Sequence, residues 1–460
     1  MSDLVCISPV DGREFARRSC ASPDEVNRVL QRARVAQRDW ARVPLAGRCR
    51  VVSGFIEAME ELNAQIVPEL AWQIGRPVRY GGELRSLLER VRAMLDIAED
   101  ALAPEVHGSD PLLHREVRRE PVGLVMVIAP WNYPFLTAAN TIIPALISGN
   151  AVLLKHARQT LLAGERFAEA LRMAGVPEGL FANLVLSHEQ TERLLGSGLV
   201  DHATFTGSVE GGRAVERAAA GSFTSLTLEL GGKDAAYVRE DADLKASVES
   251  LVDGAFYNAG QSCCGIERIY VHRHVWQPFV EAFITEVRKY RLGNPLDQET
   301  SLGPMASVAA AEGVRRQVAE ALCAGAHAHI ERQLFPADRT GTAYVMPQVL
   351  TGVDHSMAVM RDESFGPVIG LMPVADDAEA LRLINDSRYG LTASVWTSNR
   401  AAAERLGAEI EAGTILMNRC DYIDPLLAWG GVKDTGRGAS LGKYGFESVT
   451  RPKSFHLRSW

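Results

Sequence analysis

Runs of apolar residues alternate with helix-like segments in the first half of the chain. Residues 122–129, 151–155 and 181–186 are mainly apolar, which is typical of parallel strands that are buried on both faces. Between them, residues 138–147 and 162–174 have the apolar spacing of helices. This succession of strand, helix and strand predicts a doubly wound α/β domain.

Helical spacing dominates the residues that precede this domain. Ser22 and Pro23 supply the cap and the first position of one helix, and residues 45–75 and 80–101 are predicted as two more. Residues 1–20 are predicted as a short strand and a turn. We therefore expect a helical layer at the N-terminus.

The α/β alternation resumes between residues 225 and 415. The predicted strands are residues 227–230, 235–238, 268–272, 368–372 and 393–396. The predicted helices are residues 244–256, 275–290, 308–324, 377–386 and 400–407. A second α/β domain is therefore predicted to begin near the strand that contains Glu229.

Two further segments alternate polar and apolar residues, as exposed strands do. They are residues 113–120 and the C-terminal segment that follows Ser448. We predict that they form a small sheet that bridges subunits, because an exposed strand edge can pair with another chain.

Composition narrows the class of protein. With 460 residues the chain is long enough for two or three domains, and a formal charge of −8 without any basic run argues against a nucleic-acid partner. No apolar run approaches the length of a membrane span, and the first residues lack the features of a secretory signal. The seven cysteines have no spacing typical of metal ligands or of a disulfide framework, so we expect reduced thiols, no metal and a cytoplasmic location.

A thiol and a carboxylate stand out as candidate catalytic groups. Cys263 and Cys264 follow a Gly-Gln turn, and Glu229 is the single acid in the apolar sequence Leu-Glu-Leu-Gly-Gly. A thiolate is a strong nucleophile, and an isolated buried carboxylate has a raised pKa that suits proton transfer. The alternatives are cysteines packed in the core and a glutamate satisfied by backbone N–H groups.

Six motifs, in one order along the chain, carry a resemblance to a known family. They are residues 129–134 (Ala-Pro-Trp-Asn-Tyr-Pro), Lys155 at a strand end, residues 205–208 (Phe-Thr-Gly-Ser), 228–232 (Leu-Glu-Leu-Gly-Gly), 260–263 (Gly-Gln-Ser-Cys) and 363–367 (Glu-Ser-Phe-Gly-Pro). Over almost its whole length the chain resembles the aldehyde dehydrogenase superfamily, in its NAD(P)-dependent, non-phosphorylating, hydrolytic form. The resemblance implies an α/β fold with a Rossmann-like doubly wound cofactor domain, an α/β catalytic domain and a small bridging β-sheet.

The resemblance also implies how the chain is divided. The NAD(P)-binding domain is expected to comprise residues 1–110 and 122–228, the catalytic domain residues 229–425, and the oligomerisation strands residues 111–121 and 445–460. We expect a homodimer or homotetramer that acts on a small-molecule aldehyde and has neither a nucleic acid nor a membrane as partner.

Three residues match the catalytic positions of the family. By the resemblance, Cys263 attacks the aldehyde to give a thiohemiacetal, and loss of a hydride to the nicotinamide then leaves a thioester. Glu229 activates the water that hydrolyses this thioester, and the side-chain amide of Asn132 stabilises the oxyanion together with the Cys263 N–H. The residues alone explain Asn132 equally well as a turn residue.

The resemblance further assigns a set of residues to the cofactor. Lys155 is expected at the adenosine ribose, Glu363 at the nicotinamide ribose, and the helix start after Gly207 near the pyrophosphate, although a turn that needs small residues explains these glycines equally well. The predicted cofactor-binding residues are Ile128, Ala129, Pro130, Trp131, Lys155, Arg158, Gly207, Ser208, Gly212, Leu230, Glu363 and Phe365.

Arg158 departs from the family pattern. A glutamate often stands at this position, where it favours the free 2′-hydroxyl of NAD and repels a 2′-phosphate. An arginine removes the repulsion and can pair with the phosphate, so we expect NAD as the cofactor with NADP tolerated. The alternative is an arginine that faces solvent at the start of the next helix.

The residues expected on the substrate side of the site also depart from the family pattern. Ser440 stands where many relatives carry a second glutamate that relays protons from Glu229. The predicted substrate-lining residues are Tyr257, Trp429, Asn140 and Asp421. A polar, acidic approach favours a substrate that carries an amine or another polar group, unless Asp421 and Asp424 are solvated or bind Arg419.

Two other functions remain open from the sequence. Coenzyme A, rather than water, accepts the acyl group in some relatives, although the presence of Glu229 favours water. The fold could also serve a non-catalytic binding protein, and the presence of Cys263, Glu229 and Asn132 argues against this.

Overall fold

The computed structural model describes residues 2–110 and 112–459. Its strands, in chain order, are β1 Asp3–Ile7, β2 Glu14–Ser19, β3 Glu105–Asp110, β4 Leu113–Pro121, β5 Leu124–Ile128, β6 Ala151–Lys155, β7 Phe181–Asn183, β8 His202–Thr206, β9 Ser225–Glu229, β10 Asp234–Val238, β11 Ile266–His272, β12 His327–Ala328, β13 Gln348–Thr351, β14 Val368–Val374, β15 Thr392–Trp396, β16 Thr414–Met417, β17 Gly436–Arg437 and β18 Thr450–Arg458. Its α-helices are α1 Pro23–Trp40, α2 Leu45–Ile74, α3 Leu84–Leu102, α4 Pro134–Ser148, α5 Leu161–Met173, α6 His188–Gly196, α7 Val209–Ala219, α8 Leu244–Phe256, α9 Trp276–Val287, α10 Val308–Cys323, α11 Ala358–Arg361, α12 Asp377–Asn385, α13 Arg400–Glu409 and α14 Gly442–Ser448.

The first large sheet has the strand order β17-β9-β8-β5-β6-β7. Strands β5 to β9 are parallel, and β17 is antiparallel at one edge. Every residue of β5 and β6 is buried, which accounts for their apolar sequences. After β7 the chain returns to place β8 beside β5, so the strand order reverses between β5 and β8. This confirms the predicted doubly wound sheet and marks the edge where such sheets bind ligands.

The second large sheet has the order β12-β13-β14-β11-β10-β15-β16, and only β12 is antiparallel. Alternate residues of its central strand β10 pack into different cores: Tyr237 into one, and Ala236 and Val238 into the other. Glu229 ends β9 and therefore belongs to the first sheet, while the second sheet begins at Asp234.

A third, antiparallel sheet has the order β18-β4-β3. Strand β18 pairs with β4 along its whole length, from Thr450 opposite Pro121 to Arg458 opposite Leu113. The predicted pairing of the two alternating segments is therefore confirmed within one chain. Strands β1 and β2 form a separate antiparallel hairpin.

Several short elements differ from the sequence prediction. Helix α3 begins at Leu84 rather than near Tyr80, because Gly81 and Gly82 take positive φ values of 68° and 74° and interrupt the helical path. Strand β7 ends at Asn183 instead of Leu186. Strands β13 and β16 and helix α6 were not predicted at all. Within the part of the chain that the structure describes, no helix has both the length and the apolar character needed to cross a membrane.

Candidate active site

Cys263 lies in a turn between α8 and β11 whose backbone conformation is uncommon. Asn258, Ala259 and Gly260 have φ values of 52°, 57° and 68°, in the left-handed region that non-glycine residues rarely adopt. A Cβ atom at Gly260 would lie 2.4 Å from the backbone oxygen of Gly366, so this position requires glycine. The turn places the half-buried Cys263 thiol at the surface of a cavity.

Buried amide side chains hold this turn in place. The Gln261 side chain donates from Nε2 to the backbone oxygen of Asn258 at 3.1 Å and accepts at Oε1 from the Ala306 N–H at 2.8 Å. Asn132, which is 4% exposed, donates from Nδ2 to the backbone oxygen of Gln261 at 3.3 Å. The Asn132 amide is therefore directed at the backbone of the cysteine turn.

A buried ion pair lies behind Asn132. Arg76 Nη1 and Glu83 Oε1 are 2.8 Å apart, and each side chain is 2% exposed. Arg76 also donates from Nη2 to the backbone oxygen of Asn132 at 2.6 Å. Glu83 Oε2 accepts from the N–H groups of Phe135 and Leu136 at the start of α4. The pair thus connects the Asn132 loop to the N-terminus of α4.

Glu229 is buried at the end of β9 and accepts hydrogen bonds from two hydroxyl groups. Ser440 Oγ donates to Oε1 at 2.5 Å, and Thr206 Oγ1 donates to Oε2 at 3.2 Å. Burial raises the pKa of Glu229, and the two hydrogen bonds oppose that rise. The raised pKa that the sequence predicted for this acid is present in the structure.

A cavity of 250 Å³ opens beside Cys263. Tyr257 and Asp421 lie in its wall, as predicted, together with Tyr133 and the exposed acid Asp253. The wall carries four carboxylates and two guanidinium groups, so its formal charge is negative. The cavity is thus a polar compartment that leads to the thiol.

Two of the predicted substrate-lining residues lie outside this cavity. Trp429 is 4% exposed, and its backbone exchanges two hydrogen bonds of 2.8 Å with Ser440, so the indole packs in the core instead of facing the cavity. Asn140 is 2% exposed and accepts at Oδ1 from Arg90 Nη1 at 2.7 Å. Neither side chain lines the cavity beside Cys263: the Trp429 backbone pairs with Ser440, and the Asn140 amide is held by Arg90, which itself lines the wall.

Asp421 and Cys264 form a hydrogen-bonded group beside the nucleophile candidate. Asp421 Oδ1 accepts from Ser262 Oγ at 2.8 Å and from the Cys264 thiol at 3.1 Å. A hydrogen bond with Cys263, together with burial, raises the pKa of Cys264 well above its ordinary value. Both cysteines line the cavity, but Cys264 is a buried, protonated donor to Asp421, whereas Cys263 is only half-buried.

The predicted cofactor residues meet at the carboxyl edge of the first sheet. Ile128 at the end of β5 lies between Lys155 and Phe205 in the strand register. Ala129 donates to the backbone oxygen of Lys155 at 3.1 Å, and Pro130 and Trp131 continue this loop. Because Lys155 is only 8% exposed, its burial lowers the pKa of the ammonium group. Within residues 2–110 and 112–459 its ammonium makes no ion pair or hydrogen bond.

The glycine-rich segment begins helix α7. Ser208 caps the helix by accepting from the Gly211 N–H at 3.2 Å, and Gly207 precedes it. At Gly212 a Cβ atom would lie 2.6 Å from the side chain of Leu230, so this glycine lets α7 pack closely on the end of β9. Close packing therefore explains the glycine at position 212.

Glu363 and Phe365 lie across the cleft from Trp131. The Phe365 and Trp131 rings are in edge-to-face contact, with centroids 5.5 Å apart. Glu363 Oε1 accepts from the Gly232 N–H at 3.2 Å, and burial together with the charge of Glu267 raises the pKa of Glu363 to about 7. These contacts bring residues from both large sheets to one cleft.

Sequence reasoning missed the buried pair that supports this loop. Lys233 Nζ and Glu267 Oε2 are 2.6 Å apart, and Glu267 also accepts from the N–H groups of Ser364 and Phe365 at 2.7 and 2.8 Å. The signal in the sequence was weak: a charged residue stands at the start of each of two apolar strands, Lys233 before β10 and Glu267 in β11. The pair fixes the loop that carries Glu363.

Arg158 begins a short 3₁₀ turn after β6 and is exposed. Among the residues that the structure describes, its guanidinium has no acidic partner in an ion pair. Its side chain is thus free to meet a ligand at the end of the sheet that also carries Lys155.

Comparisons with known proteins identify the family of this chain. The model of the aldehyde dehydrogenase family matches residues 2–455. Betaine aldehyde dehydrogenase 2 of Rhizobium meliloti strain 1021 is 32% identical over 98% of the chain and 93% of the relative, and geranial dehydrogenase of Castellaniella defragrans is 34% identical over 94% and 91%. The structure of the NADP-dependent glyceraldehyde-3-phosphate dehydrogenase from Bacillus halodurans C-125, complexed with NADP, superimposes with a TM-score of 0.92 at 30% identity, over 99% of this chain and 96% of that one. The chain therefore belongs to the aldehyde dehydrogenase family, and it is an NAD(P)-dependent oxidoreductase that acts on an aldehyde group.

Proposed function

We propose that this enzyme oxidises an aldehyde to a carboxylic acid through a thioester on Cys263, which a water molecule activated by Glu229 hydrolyses. The observation that carries the proposal is the combination of a thiol on the cavity wall, an amide donor from Asn132 at the cysteine turn, and a buried acid with a raised pKa. These are a nucleophile, an oxyanion donor and a base.

The first half of the reaction forms the thioester. The Cys263 thiolate attacks the carbonyl carbon, and the carbonyl electron pair moves to oxygen, where the Asn132 Nδ2–H and the Cys263 N–H stabilise the negative charge. The carbonyl then re-forms and a hydride leaves. A nicotinamide held in the cleft beside Glu363 and Phe365 would supply the acceptor for this hydride.

The second half releases the acid. A water oxygen attacks the thioester carbon while Glu229 takes a proton from the water, and the Cys263 thiolate leaves when the tetrahedral species collapses. Because burial raises the pKa of Glu229, the carboxylate is a stronger base than an exposed glutamate. Cys264 takes no part in these steps, since it stays protonated against Asp421.

The residues of the cleft fit a dinucleotide. The buried Lys155 ammonium has no acidic partner among the described residues, which leaves it available for ribose hydroxyl groups, and Glu363 keeps one carboxylate oxygen for the second ribose. The first turn of α7 offers N–H groups to a pyrophosphate.

Arg158 supports the finer proposal that NADP is accepted beside NAD. Its exposed guanidinium can pair with a 2′-phosphate. We expect Arg158→Glu to lower the ratio of kcat/KM for NADP to that for NAD by at least about tenfold, because the new charge repels the phosphate. Arg172→Glu, at another exposed arginine, is the matched control, and an equal change in both variants would refute the role of Arg158.

We further propose that the substrate carries an amine or another cationic group. Among the residues that the structure describes, one Asp421 carboxylate oxygen has no hydrogen-bond partner, and Asp253 and Tyr257 line the same cavity. The Tyr133 ring already holds the Arg76 guanidinium over its face at 4.7 Å, which shows that the aromatic wall accepts a cation. Asp421 binds Ser262 and Cys264, not Arg419, which stacks on Tyr422 instead. Asp424 caps a local turn at Leu426.

One experiment tests the reaction and the substrate class together. Reduction of NAD and NADP is measured with alkanals, amino-aldehydes and carboxy-aldehydes, each with and without coenzyme A. We expect turnover without coenzyme A, a higher kcat/KM for amino-aldehydes, and a loss of that preference in Asp421→Asn. Cys263→Ser should lower kcat by several orders of magnitude, while Cys264→Ser should retain most of the activity. Turnover only with coenzyme A would replace hydrolysis by acyl transfer, and a preference for carboxy-aldehydes would point to Arg90 instead.

The third sheet supports a homodimer or homotetramer as the working form. Val106 and Phe455 both lie opposite Glu116, and Leu457 follows on the same face of β18, so these side chains share one face of the sheet. Val106 and Leu457 are 57% and 54% exposed, and burial against a second subunit would remove them from water.

All seven cysteines are free, which supports a reducing, cytoplasmic location.

A further inference from the structure

A second cluster of ionisable side chains lies at the opposite end of β11 from the cysteine turn. Strands β10 and β11 are parallel neighbours, with Val238 opposite Val271, so both strands end at the same edge of the sheet. Glu240 follows β10, His272 ends β11, and His274 lies two residues further on. Six residue steps along β11 separate this edge from the cysteine turn, which is a distance of about 20 Å.

The three side chains direct potential metal ligands at one point. One ligand atom from each of Glu240, His272 and His274 lies within 4.8 Å of the other two. Glu240 Oε2 is 2.8 Å from His274 Nδ1 and 3.8 Å from His272 Nδ1. In a tetrahedral zinc site with bonds of 2.0–2.1 Å, ligand atoms are about 3.3 Å apart. The two printed separations lie on either side of that value, and the third is within 4.8 Å. His272 Nδ1 also accepts from the His274 backbone N–H at 3.4 Å, a contact that a metal ion would replace.

Packing holds the His272 and His274 rings in place, and the crevice beside them is rich in carboxylates, which favour a cation. His272 is 8% exposed, and its ring is in edge-to-face contact with that of His274 at a centroid distance of 4.7 Å. Both Glu240 and His272 line a crevice of 350 Å³ that also contains Asp376, Asp377 and Arg239.

Arg239, the cation of this crevice, is already neutralised. Its guanidinium lies 2.9 Å from Asp377 Oδ1 and 3.1 Å from Asp241 Oδ1. Asp376 uses one oxygen to cap α12 through the Glu379 N–H. Glu240 and Asp376 therefore add negative charge to a crevice in which, among the described lining residues, Arg239 is the only cation.

We propose that Glu240, His272 and His274 bind a divalent transition-metal ion at a site separate from the active site. Two imidazole nitrogens favour zinc, nickel, cobalt or copper over magnesium and calcium, which prefer oxygen ligands. Three protein ligands leave at least one coordination position for water. The ion joins the segment after β10 to the segment after β11, so it stabilises the folded chain by mass action. Little in the sequence indicates this site, because Glu240 is remote in the chain from the two histidines.

Metal binding to the full-length, tag-free chain tests this proposal. After treatment with a chelator, the chain is titrated with Co²⁺ and with Ni²⁺, with calorimetry and visible absorption as readouts. We expect one site per chain, weak cobalt d–d bands and no sulfur-to-metal charge-transfer band, because no thiol is among the ligands. Added Ni²⁺ should raise the Tm of the wild-type chain.

Variants assign the binding to this cluster. His274→Gln and Glu240→Gln should each weaken Co²⁺ binding at least tenfold and abolish the rise in Tm. His329→Gln is the matched control, because this ring bonds to Thr351 and lies in another part of the sheet. The Tm of each variant without metal reports whether it folds as the wild type does. Unchanged binding in both cluster variants, an equal loss in His329→Gln, or a thiolate charge-transfer band would each overturn the proposal.

Discussion

Ser440 is the closest hydrogen-bond donor to Glu229, at a position where the resemblance leads one to expect an acid. A hydroxyl group can hold the Glu229 carboxylate in one orientation, but it offers no second carboxylate to relay its proton. The hydrogen bond also lowers the pKa of Glu229 against the effect of burial. Ser440 is thus a positioning residue that sets how far Glu229 is ionised.

We expect Ser440→Ala to make turnover more sensitive to low pH. Without this donor the pKa of Glu229 rises further, so less of the acid is ionised as a base, and the acidic limb of the kcat profile moves to higher pH. A hydrogen bond to a charged group contributes about 1.5 kcal/mol, which corresponds to about a tenfold lower kcat below neutral pH. Ser448→Ala, on α14, is the control. An unshifted pH profile in Ser440→Ala would show that this hydroxyl does not tune Glu229.

Glu363 should make cofactor binding depend on pH. Its pKa of about 7 means that it is largely protonated at pH 6 and largely ionised at pH 8. Because the carboxylate is the better acceptor for ribose hydroxyl groups, the Kd for NAD should fall by up to about tenfold between these pH values. Titration by intrinsic fluorescence measures this, and Glu363→Gln should give a flat profile. The same slope in Glu363→Gln would assign the effect to another group.

The environment of a site residue could be predicted from the sequence only where its neighbours in the chain determine that environment. The apolar residues around Glu229 and the turn before Cys263 are visible in the sequence, and the structure places both as expected. Trp429 and Asn140 were misplaced because their partners, Ser440 and Arg90, come from other segments of the chain. A local sequence pattern does not indicate which residues from distant segments will bind a given side chain or backbone group.

Helix α4 depends on a charged residue from outside the helix. Its first N–H groups, at Phe135 and Leu136, are satisfied by Glu83, which also pairs with the buried Arg76. The N-terminal groups of a helix need such partners, and Tyr133 at the N-cap makes no side-chain cap. This one acid therefore supports both a helix start and the Asn132 loop.

Glu83→Gln should destabilise the protein strongly. The change leaves Arg76 as a buried, unpaired cation, and loss of one partner of a buried ion pair costs about 3 kcal/mol in the free energy of unfolding. Urea unfolding followed by circular dichroism measures the loss. Glu99→Gln, at an exposed position of α3, should change that free energy by less than about 0.5 kcal/mol. Equal stability of the two variants would refute the role of the ion pair.

The elements that the sequence predicted well are those with a long, uniform pattern. Helix α2 and strands β5 and β6 match their predicted bounds closely. The strands are buried on both faces and are apolar throughout, and the helix is buried along one face and has apolar residues at helical spacing. Strands β13 and β16 have only four residues each, too few for alternation to be distinguished from loop composition. Their positions follow from pairing with β14 and β15, which is a tertiary effect.

At the scale of the molecule, the third sheet exposes the apolar side chains of Val106 and Leu457 on one face, where a second subunit could cover them. We expect sedimentation equilibrium to give twice or four times the 50.1 kDa mass of one chain. The double variant Val106→Asp with Leu457→Asp should shift the protein toward monomers, because charge on this face opposes its burial. Val35→Asp, at an exposed apolar residue of α1, should leave the mass unchanged. A monomeric wild type would contradict the bridging role of the sheet.

The topology of the two large sheets determines which part of the site each one carries. The first sheet reverses its strand order between β5 and β8, where Ile128 and Phe205 lie, so a cleft for a dinucleotide forms at that edge. The second sheet begins just after Glu229 and carries the cysteine turn at the amino end of β11. The sequence could indicate two α/β domains, but only the structure shows that Glu229 belongs to the first sheet and Cys263 to the second.

The most direct test of this account is a single turnover of the Glu229→Gln variant, followed by intact and peptide mass spectrometry. With the base removed, hydride transfer should still occur once per chain while hydrolysis is slowed. We therefore predict a burst of one NADH per subunit and an acyl adduct on the peptide that contains Cys263, and this adduct should be absent from Cys263→Ser. A burst without an adduct, an adduct on Cys264, or steady turnover at the wild-type rate would contradict the assignment of Cys263 as nucleophile and Glu229 as the base for hydrolysis.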